Sequence, residues 1–158
     1  MYSPLHLHQL AISEYERAQS KAQKRRLVAM VRRQRNDLLS LNSIVQSLAS
    51  HGQHSLGLMT VAVDQIVGSV DRNHDFDRSF LPRTSVTMER WMGIMKAWYR
   101  GDHLPPVDLR KVGDVYFVVD GHHRISVARE MGQVYIDAYV TELDASEDEL
   151  QQLGIAGA

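Results

Sequence analysis

The sequence predicts an α+β protein in which an N-terminal helical appendage precedes a domain of interleaved strands and helices. Three observations carry this. Residues 9–50 keep apolar side chains at helical spacing with neither Pro nor Gly to interrupt them. From Met59 onward, β-rich runs alternate with helical ones. Between the two, Ser50-His51-Gly52-Gln53-His54-Ser55 has the composition of a loop. The expected boundaries are therefore 1–55 for the appendage and 56–158 for the main domain.

Each element follows from its residues. Leu10, Tyr15, Ala18, Ala22, Leu27, Met30 and Val31 recur at helical spacing in the first segment. A second short helix is expected over about 42–50, capped by Asn42, with Ile44, Val45 and Leu48 on its apolar face. Thr60 to Ile66 alternates as a strand, and Asp71 to Pro82 reads as an ordered loop. Thr84 or Ser85 caps the next helix, which buries Met88, Trp91, Met92, Met95 and Trp98 and stops at Gly101. Val107 to Val112 and Val115 to Asp120, joined by Gly113-Asp114, form a hairpin. Gly121 breaks the strand, and Ile125, Val127, Ala128 and Met131 continue as a helix that Gly132 ends. Val134 to Thr141 is the last strand. Ser146-Glu147-Asp148-Glu149 is a capping box opening a helix with Leu150 and Leu153.

Composition narrows the function classes. At 158 residues, 44% hydrophobic and 23% charged, the chain is of globular type. A formal net charge of −1 excludes a molecule that is cationic throughout, so any nucleic-acid contact must rest on a local patch. The absence of cysteine removes disulfides, thiolate metal sites and a cysteine nucleophile. Leu56 to Val63 is too short to span a bilayer, and the first residues lack a basic and apolar leader pattern. A cytoplasmic protein with no membrane partner is expected.

The chemistry concentrates at Asp120-Gly121-His122-His123-Arg124, where a strand turns into a helix. A helix start leaves backbone N–H groups unpaired at the positive end of the dipole. Gly121 permits a sharp turn and a close approach by an anion. Arg124, one turn in, can reach a phosphate with its planar fork, and His123 can donate to it or add charge if protonated. Asp120 can cap, hold a histidine tautomer or take a Mg²⁺ that accompanies a nucleotide. The bland alternative is a generic Asp-Gly turn beside surface histidines.

Family resemblance favours the first. The order strand, Gly-ended helix, hairpin, Gly-x-His-Arg helix and strand over about residues 59–142 resembles the ParB/sulfiredoxin superfamily. Sulfiredoxins carry Gly-Gly-Cys-His-Arg at this helix start. Gly121, His123 and Arg124 match it, Asp120 replaces the first glycine, and His122 stands at the cysteine position. ParB proteins carry Gly-Glu-Arg-Arg-x-Arg-Ala there, of which Gly121 and Arg124 remain. Val61 to Ile66, Arg72 to Phe80 and Leu104-Pro105-Pro106-Val107 resemble further ParB segments. In both families the motif holds nucleotide phosphates. The resemblance thus implies Gly121, His123 and Arg124 as binders of the phosphates of an ATP- or CTP-type nucleotide with Mg²⁺, and His122 and, upstream, Arg72 stand as further candidates for the same site. Without cysteine, sulfinic-acid repair cannot run. After Glu142, no counterpart follows of ParB's acidic-Asn-x-Gln-Arg motif or its helix-turn-helix domain, so site-specific DNA reading is not expected.

Two other clusters stand out. Asp71 to Arg78 collects acids, arginines and a histidine, and Asp75 and Asp77 would share a face of an extended chain. The free-serine kinases of this superfamily place a catalytic acid upstream, which makes Asp75 or Asp77 the acid to test, with Asp75 taken as the catalytic candidate beside Asp120 and His122. The same residues can simply solvate a loop. Lys21, Lys24, Arg25, Arg26, Arg32, Arg33 and Arg35 have no acid among them, and Lys21, Arg25 and Arg32 share a helical face. That face either binds nucleic-acid phosphates or is solvated. The His6/His8 and His51/His54 pairs assign no metal. The expectation is a nucleotide-binding domain, acting as a phosphotransferase or nucleotide hydrolase or as a nucleic-acid-associated regulatory module. A homodimer through the helical appendage is a further option.

Overall fold

A computed structural model describes residues 1–41, 51–71, 73–152 and 154. They form two compact units. The first comprises 1–38, 74–105 and 122–133, and the second 39–73, 106–121 and 134–158. The second helix expected over 42–50 lies outside the described residues. No helix among the described residues is long and apolar enough to cross a membrane.

The first unit is helical. Helix α1 spans Pro4–Arg32, opened by Ser3, whose hydroxyl accepts the His6 N–H at 3.2 Å. It begins before residue 9 because Ser3-Pro4 is itself a helix start, with proline at the first position. The packed face is Leu7, Ala11, Tyr15, Ala18 and Ala22. At about 100° per residue Leu27 and Val31 fall opposite this face and Met30 to its side. Those three are exposed rather than continuing the buried stripe. Helix α2 spans Met88–Arg100 and buries Trp91, Met92, Met95 and Ala97, while Trp98 stays 36% exposed. Neither Thr84 nor Ser85 caps it. A short 3-10 turn over Ser85–Thr87 intervenes, and the Thr87 hydroxyl donates to the Thr84 carbonyl instead. Helix α3 spans His122–Glu130.

Trp91 joins these helices. Its ring meets Tyr15 of α1 edge to face at 5.5 Å, and its indole N–H donates to the Ser126 hydroxyl of α3 at 2.9 Å. Both residues of that bond are buried, so Ser126→Ala leaves the indole N–H without its acceptor. A loss of about 1–3 kcal/mol in urea unfolding is expected.

The second unit is a six-stranded mixed sheet among the described residues. Its strands are β1 (Leu39–Ser40), β2 (Gln53–Ala62), β3 (Ile66–Ser69), β4 (Val107–Val112), β5 (Val115–Asp120) and β6 (Tyr135–Leu143). They lie in the order β1-β3-β5-β4-β6-β2. Central β4 runs antiparallel to β5 and parallel to β6, and β2 closes one edge antiparallel to β6. Gly68 lets β1 approach β3, since a Cβ there would sit 2.5 Å from the Leu39 carbonyl oxygen. Leu41, Val112, Phe117 and Leu143 form a buried cluster on which Val67, Val115 and Leu150 pack.

The hairpin and the last strand match the sequence reading, but the strand expected over 60–66 does not. The stretch divides into β2, a 3-10 turn over Val63–Gln65 and β3, and Gln53 to Ser55 is strand rather than loop. Residues 53–55 are polar and exposed, so pairing with β6 holds them as strand with no apolar residue to signal it. Helix α4 spans Glu147–Gln152 with its capping box made. The Ser146 N–H reaches Glu149 at 2.8 Å, and the Glu149 N–H reaches the Ser146 hydroxyl at 3.2 Å.

Candidate functional site

Strand β5 ends at Asp120, Gly121 follows at φ 110°, and α3 begins at His122. Only glycine enters this backbone region at low cost, so Gly121 is what allows the chain to pass from strand to helix in one residue. In the sheet unit Asp120 lies across the ladder from Asp108, whose carboxylate accepts from Arg110 at 3.1 Å.

In the helical unit, the first turn of α3 presents His122, His123 and Arg124, all half-buried. Phe76, fully buried, is their floor. His122 lies near-parallel to its ring at 6.2 Å, and His123 meets it edge-on at 5.1 Å. Arg124 Nη1 donates to the Pro105 carbonyl at 2.6 Å, which fixes the plane of the guanidinium.

The loop bearing Phe76 is tightly organised. Asp77 is fully buried, and its Oδ1 accepts the Ser79 N–H at 2.8 Å and the Leu81 N–H at 3.0 Å. Single bridges tie Asp37 to Asp77 and Phe76 to Pro82. Phe80 is held at φ 60°, a region costly for a side chain of this bulk, with Arg129 over its ring at 5.3 Å. Burial raises the Asp77 carboxyl above its ordinary range, against the pull of its two backbone bonds. Asp77 is a loop organiser and does not share an open face with Asp75. Asp75 is half-buried and accepts the Thr84 hydroxyl at 3.3 Å.

Electrostatics revise one expectation. Burial lowers the His123 pKa to about 4, Arg90 and His122 add to the effect, and Asp75 opposes it. The ring is therefore neutral at physiological pH, and it offers an anion a hydrogen bond rather than a charge. The unfolded chain takes up this proton as pH drops below about 6.5, whereas the folded chain resists until about 4. Stability should fall with falling pH across that window, and His123→Gln should flatten the slope in thermal melts.

The structure brings Asp75, His122, His123 and Arg124 together in one unit, and it places Asp120 and Gly121 at the end of β5 in the other. Arg72 lies outside the described residues. Of the basic run, Lys21 pairs with Glu130 at 3.0 Å and Arg25 donates to the Ser79 hydroxyl at 2.6 Å. Lys24, Arg26, Arg32 and Arg33 are exposed and make no ion pair among the described residues. The histidine pairs stand apart. His6 stacks on Tyr2, His8 meets Lys96, His51 pairs with Glu149 and His54 with Asp144. No group of three potential metal ligands exists among the described residues. Phe76 falls inside the Arg72–Phe80 segment but was not singled out there, and Arg90 belongs to no motif; their roles come from contacts distant in sequence.

The family model described as the ParB N-terminal domain matches residues 32–155. The match covers the sheet, the Phe76 loop, α2 and α3, and it begins where α1 ends. No curated protein matches the chain.

Proposed function

Because the chain belongs to the ParB N-terminal domain family, we propose that it is a ParB-like module that binds the phosphates of a nucleotide at the start of α3. The observation that carries this is Gly121 at φ 110°, followed at once by a helix whose first turn is His-His-Arg. The positive end of the helix dipole favours an anion, Arg124 supplies the charged fork, and neutral His123 supplies a donor. His122 and His123 are held against the buried Phe76 ring, which limits how far either can swing. Mg²⁺ would come with a triphosphate, and Asp120, the residue before Gly121, is the carboxylate proposed to take it.

Calorimetry with ATP, ADP and CTP, each with Mg²⁺, tests the reading. Heat from at least one is expected, and none at millimolar ligand would overturn it. Turnover is the next question. Asp75, oriented by Thr84, and His122 are the groups available to activate a nucleophile near a bound triphosphate. Product formation that is lost in both Asp75→Ala and Arg124→Ala would identify a phosphotransferase or hydrolase, whereas binding without product identifies a switch.

A nucleic-acid-associated role is favoured by a separate observation, the exposed Lys24, Arg26, Arg32 and Arg33 at the end of α1. It requires DNA or RNA affinity that falls steeply with salt. A flat salt dependence, or no binding at low salt, would end it.

A further inference from the structure

The first turn of α3 holds one permanent positive charge, Arg124, because His123 is neutral at physiological pH. A nucleotide triphosphate carries several negative charges, so a site for one draws on further cations from outside α3.

The start of α2 lies beside this turn. Phe76 touches the His122 and His123 rings, and the loop that bears it leads into α2. Its neighbour Asp75 holds that approach in place. The Asp75 carbonyl accepts the Arg83 N–H at 2.7 Å, and its carboxylate accepts the Thr84 hydroxyl at 3.3 Å. The 3-10 turn over Ser85–Thr87 follows, and then the first turn of α2, which contains Arg90. The two helices therefore begin at one corner of the helical unit.

Trp91 fixes which way that turn faces. Its indole bonds Ser126, which stands one turn along α3 from His122 and His123. At about 100° per residue, Met92 lies to one side of Trp91 and Arg90 to the other. The Met92 side meets α1, where Lys96 Nζ donates to His8 Nδ1 at 2.9 Å across a groove lined by Ile12 and Met92. The Arg90 side also carries Thr87 and Ala97, both buried, so it too is packed, away from α1. Arg90 itself is exposed, and among the described residues it makes no hydrogen bond or ion pair. Its charge reaches His123, whose proton affinity it helps to depress.

We propose that Arg90 is a second arginine of the phosphate site, so that a nucleotide at the start of α3 is gripped from α2 as well. The proposal rests on the nucleotide-phosphate reading of that site. Arg124 is already committed on one side to the Pro105 carbonyl, whereas the whole Arg90 fork is available to phosphate oxygens.

Titration calorimetry of the full chain with Mg²⁺–ATP and Mg²⁺–CTP tests this on wild type, Arg90→Ala and Arg90→Lys. Arg90→Ala should weaken whichever nucleotide the wild type binds by about tenfold. Its affinity should also fall less steeply with added salt, since one charged contact is gone. Arg90→Lys should recover part of the loss. Melting temperatures should stay near the wild type, because the side chain is exposed. Without nucleotide, the His123 ring should titrate in Arg90→Ala above its wild-type value of about 4, read by NMR. A wild type that binds neither nucleotide overturns the site reading and this inference together. A wild type that binds, with Arg90→Ala binding equally well, overturns this inference alone. So does a His123 titration unmoved by Arg90→Ala, which would put the guanidinium out of reach.

Discussion

Arg124→Ala is expected to weaken nucleotide binding between about tenfold and a hundredfold, the loss of a hydrogen-bonded charge from a phosphate site. The size follows from how the side chain is held. Arg124 is in the first turn of α3, and its Nη1 bond to the Pro105 carbonyl at 2.6 Å sets the guanidinium plane before any ligand arrives. A fork already oriented spends little entropy on binding, so its removal is felt nearly in full. Arg124→Lys keeps the charge but loses the planar fork, and it should recover only part of the affinity. Both variants should melt close to the wild type, because the Pro105 contact is exposed. Titration calorimetry of the three proteins separates the cases, and unchanged affinity in Arg124→Ala would contradict the assigned role.

Asp77→Ala is expected to cost about 2–4 kcal/mol in chemical unfolding, the range for removing the shared acceptor of a buried network. Two backbone donors, from Ser79 and Leu81, lose their acceptor at once. The turn they close also holds Phe80 at φ 60°, a conformation that persists only where its surroundings over-determine it. Asp77→Asn should cost less, because the amide oxygen can replace Oδ1 and carries no buried charge. The pH dependence has a definite sign. Burial raises the folded-state pKa of Asp77 above its unfolded value, so the protonated carboxyl favours folding at low pH. That contribution disappears as pH rises through the folded pKa. Asp77→Asn should lack this component, which urea titrations at several pH values will show.

Much of the architecture was legible where local chemistry sets it. The Gly113-Asp114 hairpin, the strand-to-helix turn at Gly121 and the Ser146–Glu149 capping box are each written in adjacent residues, and each forms. What failed depended on partners distant in sequence. Residues 53–55 are polar throughout, and pairing with β6 makes them strand. Leu27, Met30 and Val31 have helical spacing, yet Tyr15 and Ala18 fix which side of α1 is packed. At the site, the passage from strand to helix at Gly121 was readable. The neutrality of His123 was not, because it comes from burial with Arg90 nearby. Nor did the sequence separate Asp75 from Asp77, which differ only in what the fold wraps around them.

The most direct test of phosphate binding at the α3 start is a nitrogen-15 spectrum of the backbone amides recorded during titration with Mg²⁺–ATP and Mg²⁺–CTP. Binding at this helix start should shift the Gly121, His122, His123 and Arg124 amides first and furthest, with the Arg124 side-chain resonance following. Titration to millimolar nucleotide that leaves these four amides unmoved, or shifts confined to other parts of the chain, would contradict the account.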